Sequence, residues 1–260
     1  MPQTVTLNNV HLTLNSRAGA VAILKGIDVE AQAGEAIGIV GPSGSGKTSL
    51  LMVMAGLESV TSGEITVADV RLNDRSESDL AKFRRENIGI IFQSFHLIPT
   101  MTALENVAVP LEFKGEKDAF ARAREGLVRV GLGHRLDHYP GQLSGGEQQR
   151  VAIARAVTSG AKILLADEPT GNLDQETGAS IIDLLFDLKE KTKATLLLVT
   201  HDVSLAQRCN RIWQVRDGKV TEPASAGKPR KALNMPASAG KPRKALNMPA
   251  SAGKPRKDAK

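Results

Sequence analysis

Gly41-Pro42-Ser43-Gly44-Ser45-Gly46-Lys47-Thr48-Ser49 follows directly on the apolar run Ala36 to Val40, and a stretch carrying Leu50, Leu51, Val53 and Met54 continues it as a helix to about Leu57. A strand, a glycine-rich loop and a helix in that order, with the spacing G-x-x-x-x-G-K-[ST], make a phosphate cradle. Glycines let the backbone fold tightly enough for its N–H groups to face phosphate oxygens. The helix N-terminus adds roughly half a positive charge where the anion sits. Gly41 through Ser49 are therefore expected to bind a nucleotide. Lys47 is expected to reach the β- and γ-phosphates, and the Thr48 hydroxyl to ligate Mg²⁺.

A second chemical signal is Ile163-Leu164-Leu165-Ala166-Asp167-Glu168, a buried strand ending in two acids. A carboxylate at the C-terminal end of a strand, beside the cradle, can hold Mg²⁺ through its water shell, and Asp167 is assigned that task. Glu168 is then the general base that orients or deprotonates the water attacking the γ-phosphate.

The chain around these motifs alternates strands and helices. Apolar runs suited to strands lie at Ala36–Val40, Ile88–Phe92, Ile163–Ala166, Leu196–Thr200 and Ile212–Val215, and Asp217-Gly218 marks a hairpin turn to Lys219-Val220. Ile181, Ile182, Leu184, Leu185 and Leu188 share one helical face. Thr102 and Glu105 form a capping box that opens a helix towards Val109, with Pro110 expected to interrupt it. Short buried strands between helices predict an α/β fold with a mainly parallel sheet. The alternating stretches Thr4–Leu14 and Ile23–Ala33 predict a small antiparallel layer at the N-terminus.

Composition narrows the class. No run approaches the ~20 apolar residues of a membrane-spanning helix. Met1-Pro2-Gln3-Thr4 carries no secretion signal, and the single Cys209 allows no intramolecular disulfide. A cytosolic domain is expected. The net charge of +6 is misleading, because residues 223–260 hold ten Lys and Arg against one Asp. That segment repeats PASAGKPRKALNM at 223–235 and 236–248 and begins a third copy at Pro249. With so few large apolar side chains it is expected to be disordered. Its K-P-R-K clusters suit an anionic lipid leaflet or nucleic acid, or have no partner at all.

Leu143-Ser144-Gly145-Gly146-Glu147-Gln148 resembles the LSGGEQ signature of the ABC ATPases. Read without the resemblance, Ser144 and Glu147 are a capping box, so the stretch opens a helix and presents another anion site. The resemblance covers about residues 4–222. It implies an ATP-binding, ATP-hydrolysing subunit on a P-loop NTPase (RecA-like) core, with an inserted helical subdomain at about 94–160. It also implies that Ser144, Gly145, Gly146 and Glu147 meet ATP held by a second copy, so that a homodimer sandwiches two nucleotides head to tail. By the same resemblance Gln93 senses Mg²⁺ and the attacking water, Asn172-Leu173-Asp174 crosses the dimer interface, and His201 contacts the γ-phosphate as a catalytic switch. Leu14 stands where many of these ATPases place an aromatic residue against adenine, with His11 as a possible substitute. RLDHYPGQLSGGEQQR and LLADEPTGNLDQETG are most similar to the lipoprotein-releasing, macrolide-efflux and YbbA-type group. That likeness implies integral membrane permease subunits as partners and a location on the inner face of the cell membrane. The apolar segment Phe95–Pro110 is the expected groove for the permease. An ABC ATPase that moves no solute, associated with cell division or nucleic acid, is the alternative.

Overall fold

The computed structural model describes residues 3–16 and 19–222; the basic repeat at 223–260, with the disorder and the polyanion partner expected of it, lies outside them. The central sheet takes its strands from the continuous apolar runs. β3 (Ala36–Val40), β6 (Ile88–Phe92), β7 (Ile163–Asp167), β8 (Thr195–Val199), β9 (Arg211–Arg216) and β10 (Lys219–Thr221) lie in the order β10-β9-β3-β8-β7-β6. All neighbours are parallel except the β9–β10 hairpin. Asp217 and Gly218, both at positive φ, form that hairpin's turn.

A parallel sheet has to be covered on both faces, and the twofold alternation of its strands shows how. Ile37, Ile39, Ile163, Leu165, Leu197 and Val199 belong to one apolar cluster. Ala36, Leu164, Ala166, Leu196 and Leu198 belong to the other. The first is closed by α1 (Lys47–Met54) and by a second, antiparallel sheet of order β2-β1-β4-β5. This sheet joins β1 (Gln3–Ser16) and β2 (Gly19–Gln32) to β4 (Ser62–Val67) and β5 (Val70–Arg71). The antiparallel layer is therefore not only N-terminal: it also recruits two strands that follow α1. A polar helix, α2 (Glu77–Asn87), enters this cluster through Leu80 and Phe83.

The second cluster is closed by α3 (Ala103–Phe113), α4 (Ala119–Arg129), α5 (Gly145–Thr158) and α6 (Gln175–Thr192). α7 (Val203–Ala206) is a single turn laid on β3 at Gly38. Two expectations are corrected. α1 stops at Met54 rather than Leu57, because Gly56 at φ 64 ends the helix. Pro110 does not interrupt its helix but lies inside α3. A proline there forfeits a backbone bond and strains the turn before it, at ~3 kcal/mol. Val107, Ala108 and Leu111 are fully buried on either side of it. Each large side chain so buried contributes ~1.5–3 kcal/mol, so packing outweighs the defect.

Gly89 is where α5 meets the sheet: a Cβ there would stand 2.6 Å from the carbonyl oxygen of Ala156. That oxygen is main chain and cannot swing aside, and Leu164 Cδ2 would stand at 2.9 Å. Gly89→Ala is expected to destabilise the fold by ~1–3 kcal/mol, the usual range for overpacking a tight core. Urea unfolding checks it, with the midpoint falling and the slope unchanged.

Candidate functional site

The cradle is built where β3 ends. Gly41 passes so close to β9 that a Cβ would meet the Val215 carbonyl at 2.1 Å, which only glycine permits. The loop then rises to Gly46, the N-cap of α1, at φ 103. No side chain caps this helix end and its first turn holds no acid, so its amides and partial positive charge face an anion uncompensated. Ser45 Oγ is buried with no hydrogen-bond partner. Lys47 folds back over the loop, its Nζ donating to the carbonyls of Gly41 (3.0 Å) and Pro42 (2.8 Å). Ser43, Gly44, Gly46, Lys47, Thr48 and Ser49 line a groove of about 280 Å³, together with Ile23 from β2 and Glu168. An uncapped helix end and a lysine bound only to neutral carbonyls, both lining the groove, fit a triphosphate.

The acids stand at the end of β7. Parallel register pairs Asp167 with Phe92 on one side and Val199 on the other, which brings Gln93, Asp167 and Thr200 to one edge of the sheet. Burial raises the Asp167 carboxyl above the ordinary aspartate range; the Thr48 hydroxyl beside it opposes this and the Glu168 charge adds to it. A hydroxyl and a desolvated carboxylate side by side are a suitable hard-oxygen pair for Mg²⁺. Glu168 leaves the strand at φ 45, so its side chain turns to the groove, and its backbone is held by Val199 and Gly171. His201 Nδ1 lies 3.6 Å from Glu168 Oε2 and is otherwise largely in solvent.

Not every expected residue joins this groove. The Gln93 amide donates to Asn172 Oδ1 (3.2 Å), and Asn172 Nδ2 returns a bond to the Gln93 carbonyl (3.1 Å). Gln93 therefore rests on the 172–174 loop, while Asp174 caps α6 by accepting from Thr177 N. Ser144, Gly145, Gly146 and Glu147 do not line the groove. They open α5, where Ser144 Oγ accepts from Glu147 N and Glu147 Oε2 accepts from Ser144 N at 2.8 Å. The Ser144 amide holds the Glu147 carboxyl below the usual range, and Arg135 bonds it at 3.0 Å. The acid is thus turned back and neutralised, leaving a second helix end open to an anion. This end leans on the start of α6, where a Cβ on Gly146 would meet Thr177 at 2.6 Å.

His11 bonds Asn9 Oδ1 and does not line the groove. Leu14 is exposed and pairs across β1 and β2 with Val21, also exposed, two residues before Ile23 on the same strand face. Sequence reasoning missed Ile23 and Arg135. The first is one apolar residue among many in an alternating strand, and the second acts through a partner twelve residues away.

With this arrangement in view, the matches to known proteins are decisive. Residues 24–171, from β2 through the acid pair at the end of β7, match the ABC transporter family. The chain belongs to the ABC transporter family. The uncharacterized ABC transporter ATP-binding protein YbbA of Escherichia coli (strain K12) is 49% identical over 206 residues, covering 78% of this chain and 90% of that protein. The lipoprotein-releasing system ATP-binding protein LolD of Xanthomonas campestris pv. campestris (strain 8004) is 43% identical over 204 residues, covering 78% and 85%. Among solved structures, the dimeric post-hydrolysis state of the ATP-binding cassette MJ0796 bound to ADP and Pi superposes with a TM-score of 0.79 at 41% identity, covering 88% of this chain and all of that one. The cassette is thus an ATP-binding and ATP-hydrolysing transporter subunit on an α/β core of the expected class, and its likeness to the lipoprotein-releasing and YbbA group holds.

The raised Asp167 carboxyl gives a test of the nucleotide-free cassette. A buried acid with a raised pKa binds its proton more tightly folded than unfolded, so ionising it costs stability as pH rises through the ordinary aspartate range. Asp167→Asn is expected to unfold at a higher urea concentration than the unchanged chain near neutral pH. That gain should shrink as pH falls below the aspartate range.

Proposed function

We propose that two copies of this cassette close head to tail over two Mg-ATP molecules and so drive a separate membrane permease, as in efflux, lipid or lipoprotein extraction, or force transmission. One observation carries this reading: the open end of α1 shares a groove with Lys47, whereas the Ser144–Glu147 turn, its acid held by Arg135, lies outside that groove. A triphosphate in the cradle leaves the Ser144–Glu147 turn without a ligand of its own, and a second copy supplies one.

In the closed dimer the loop amides and Lys47 hold the β- and γ-phosphates, and Ser144 and Gly146 of one copy meet the γ-phosphate of the other. Thr48, Asp167 and Gln93 would hold Mg²⁺, which when bound neutralises charge on the phosphate oxygens. Glu168, aimed into the groove by its left-handed backbone, takes the proton of the attacking water. His201 orients the γ-phosphate. For Gln93 to reach the metal it must leave Asn172, so nucleotide arrival loosens the pair that holds it in this structure.

Residues 1–222 are proposed as the cassette, with about 94–160 as its helical subdomain, and 223–260 as a basic extension towards an anionic lipid or nucleic acid. Among the described residues no helix is long and apolar enough to cross a membrane. The permease is therefore a separate partner in this proposal, with the cassette on the inner membrane face. Its docking surface divides the expected segment: Ile98 and Pro99 are exposed, whereas Leu97 packs inward. Separately, exposed Phe113 joins Val109 and Pro110 of α3 and Asp79, Lys82 and Arg85 of α2 around a groove of about 580 Å³. An apolar floor with two cations and one acid at its rim suits an amphipathic helix with a net acidic face.

Glu168→Gln is expected to bind Mg-ATP with unchanged affinity and to lose turnover by ~10²-fold or more. Light scattering should then find an ATP-dependent dimer that does not decay. Rapid hydrolysis by that variant would remove Glu168 from the base's role.

A further inference from the structure

Arg155 sits in the last full turn of α5, on the face toward the end of β6, and takes no part in the groove. Its guanidinium is half-buried and donates twice into one loop, Nη2 to the Phe95 carbonyl at 2.8 Å and Nη1 to the His96 carbonyl at 2.6 Å. Those two residues are consecutive non-glycine positions in the left-handed region, at φ 60 and 48. Successive residues of one hand turn their carbonyls the same way, so one planar fork can donate to both, which a lysine cannot reproduce. The loop is the one that follows Gln93, and the ring of His96 stacks on Phe92 at 4.5 Å, closing it upon the strand it leaves. One residue along, Ala156 touches Gly89 of β6 main chain to main chain. The other end of α5 is Ser144, eleven residues away, or about 16 Å of unbroken helix.

We propose that Arg155 is a positioning residue that ties the 93–96 loop to α5, so that Gln93 and the Ser144–Gly146 turn move as one body. This rests on the head-to-tail reading above and adds to it a mechanical link within each copy. A displacement of Gln93 towards the metal carries the signature turn with it, and engagement of that turn by a neighbour's nucleotide pulls on Gln93. The two bonds to main-chain carbonyls make the link independent of the loop's side chains. Arg150, five residues earlier, makes a comparable tie on another face of the helix, from Val130 O to Ser180 Oγ, so α5 is anchored at several points without Arg155. Loss of Arg155 therefore uncouples the loop rather than unfolding the helix.

The test compares the full chain with Arg155→Lys and with His96→Pro. The second variant leaves Arg155 in place and forbids the positive φ that aims the His96 carbonyl at it. Both are expected to keep the KM for Mg-ATP within about twofold and to lose kcat by about tenfold or more, the pattern of a misplaced group. A kcat unchanged in either folded variant overturns the proposal, as does a loss that appears only as raised KM with lowered Tm. Amide hydrogen exchange supplies a readout that needs no turnover. In the unchanged chain, adding Mg-ATP should alter protection of residues 94–98 and 144–147 together, and in Arg155→Lys the two segments should respond separately. Independent responses in the unchanged chain overturn the link whether or not ATP is hydrolysed. Failure of the unchanged chain to hydrolyse Mg-ATP, with the two segments still responding together, contradicts the catalytic reading and leaves the link standing.

Discussion

The amides at the start of α1 open into the groove without a capping side chain or a first-turn acid, and Lys47 lies over them on two neutral carbonyls. Ser76, Thr102, Ser144, Asp174 and Asp202 all bond an amide in the first turn of their helices, and among the described α-helices only α4 shares the uncapped, acid-free end of α1. What sets α1 apart is that its open end faces a groove lined by Lys47, where the helix end and the ammonium concentrate positive potential for an anion. The surrounding architecture maintains it. The close pass of Gly41 under β9 fixes the loop, and burial of Leu50, Leu51, Val53 and Met54 pins α1 beneath it.

The second helix end, at Ser144, is prepared differently. It is capped, but its cap acid is folded back onto Arg135 and the Ser144 amide, so the charge that would repel phosphate is already neutralised. The Ser144 turn rests on the 171–177 segment, which also holds Gln93. Gln93, the Ser144 turn and the segment between them are therefore in contact in this structure. In the proposed dimer, communication between the two ATP sites would have a short physical route through these contacts.

What could be read from residues alone divides along the distance of the contacts. The buried strands β3, β7 and β8 are continuous apolar runs ending at the chemistry, and each was apparent from its own residues. The capping boxes at Thr102 and Ser144 needed four residues each. β4 and α2 were missed because they are largely polar: α2 buries only Leu80, Phe83 and Asn87. Pro110 was misplaced because a local rule was applied where packing on both sides prevailed. At the site, the cradle and the acid pair were legible as contiguous motifs. The Gln93–Asn172 pair spans 79 residues and the Arg155–Phe95 bond 60, and no local pattern announces either.

Sharing of the two sites between copies is the claim on which the rest turns, and mixing two defective chains tests it directly. Lys47→Ala spoils the cradle and leaves the signature turn intact; Ser144→Arg spoils the turn and leaves the cradle intact. A mixed dimer then contains one site with both defects and one with neither. ATP hydrolysis should be near absent in each variant alone and should return when the two are combined. A mixture as inactive as its components would contradict completion of each site by the other copy.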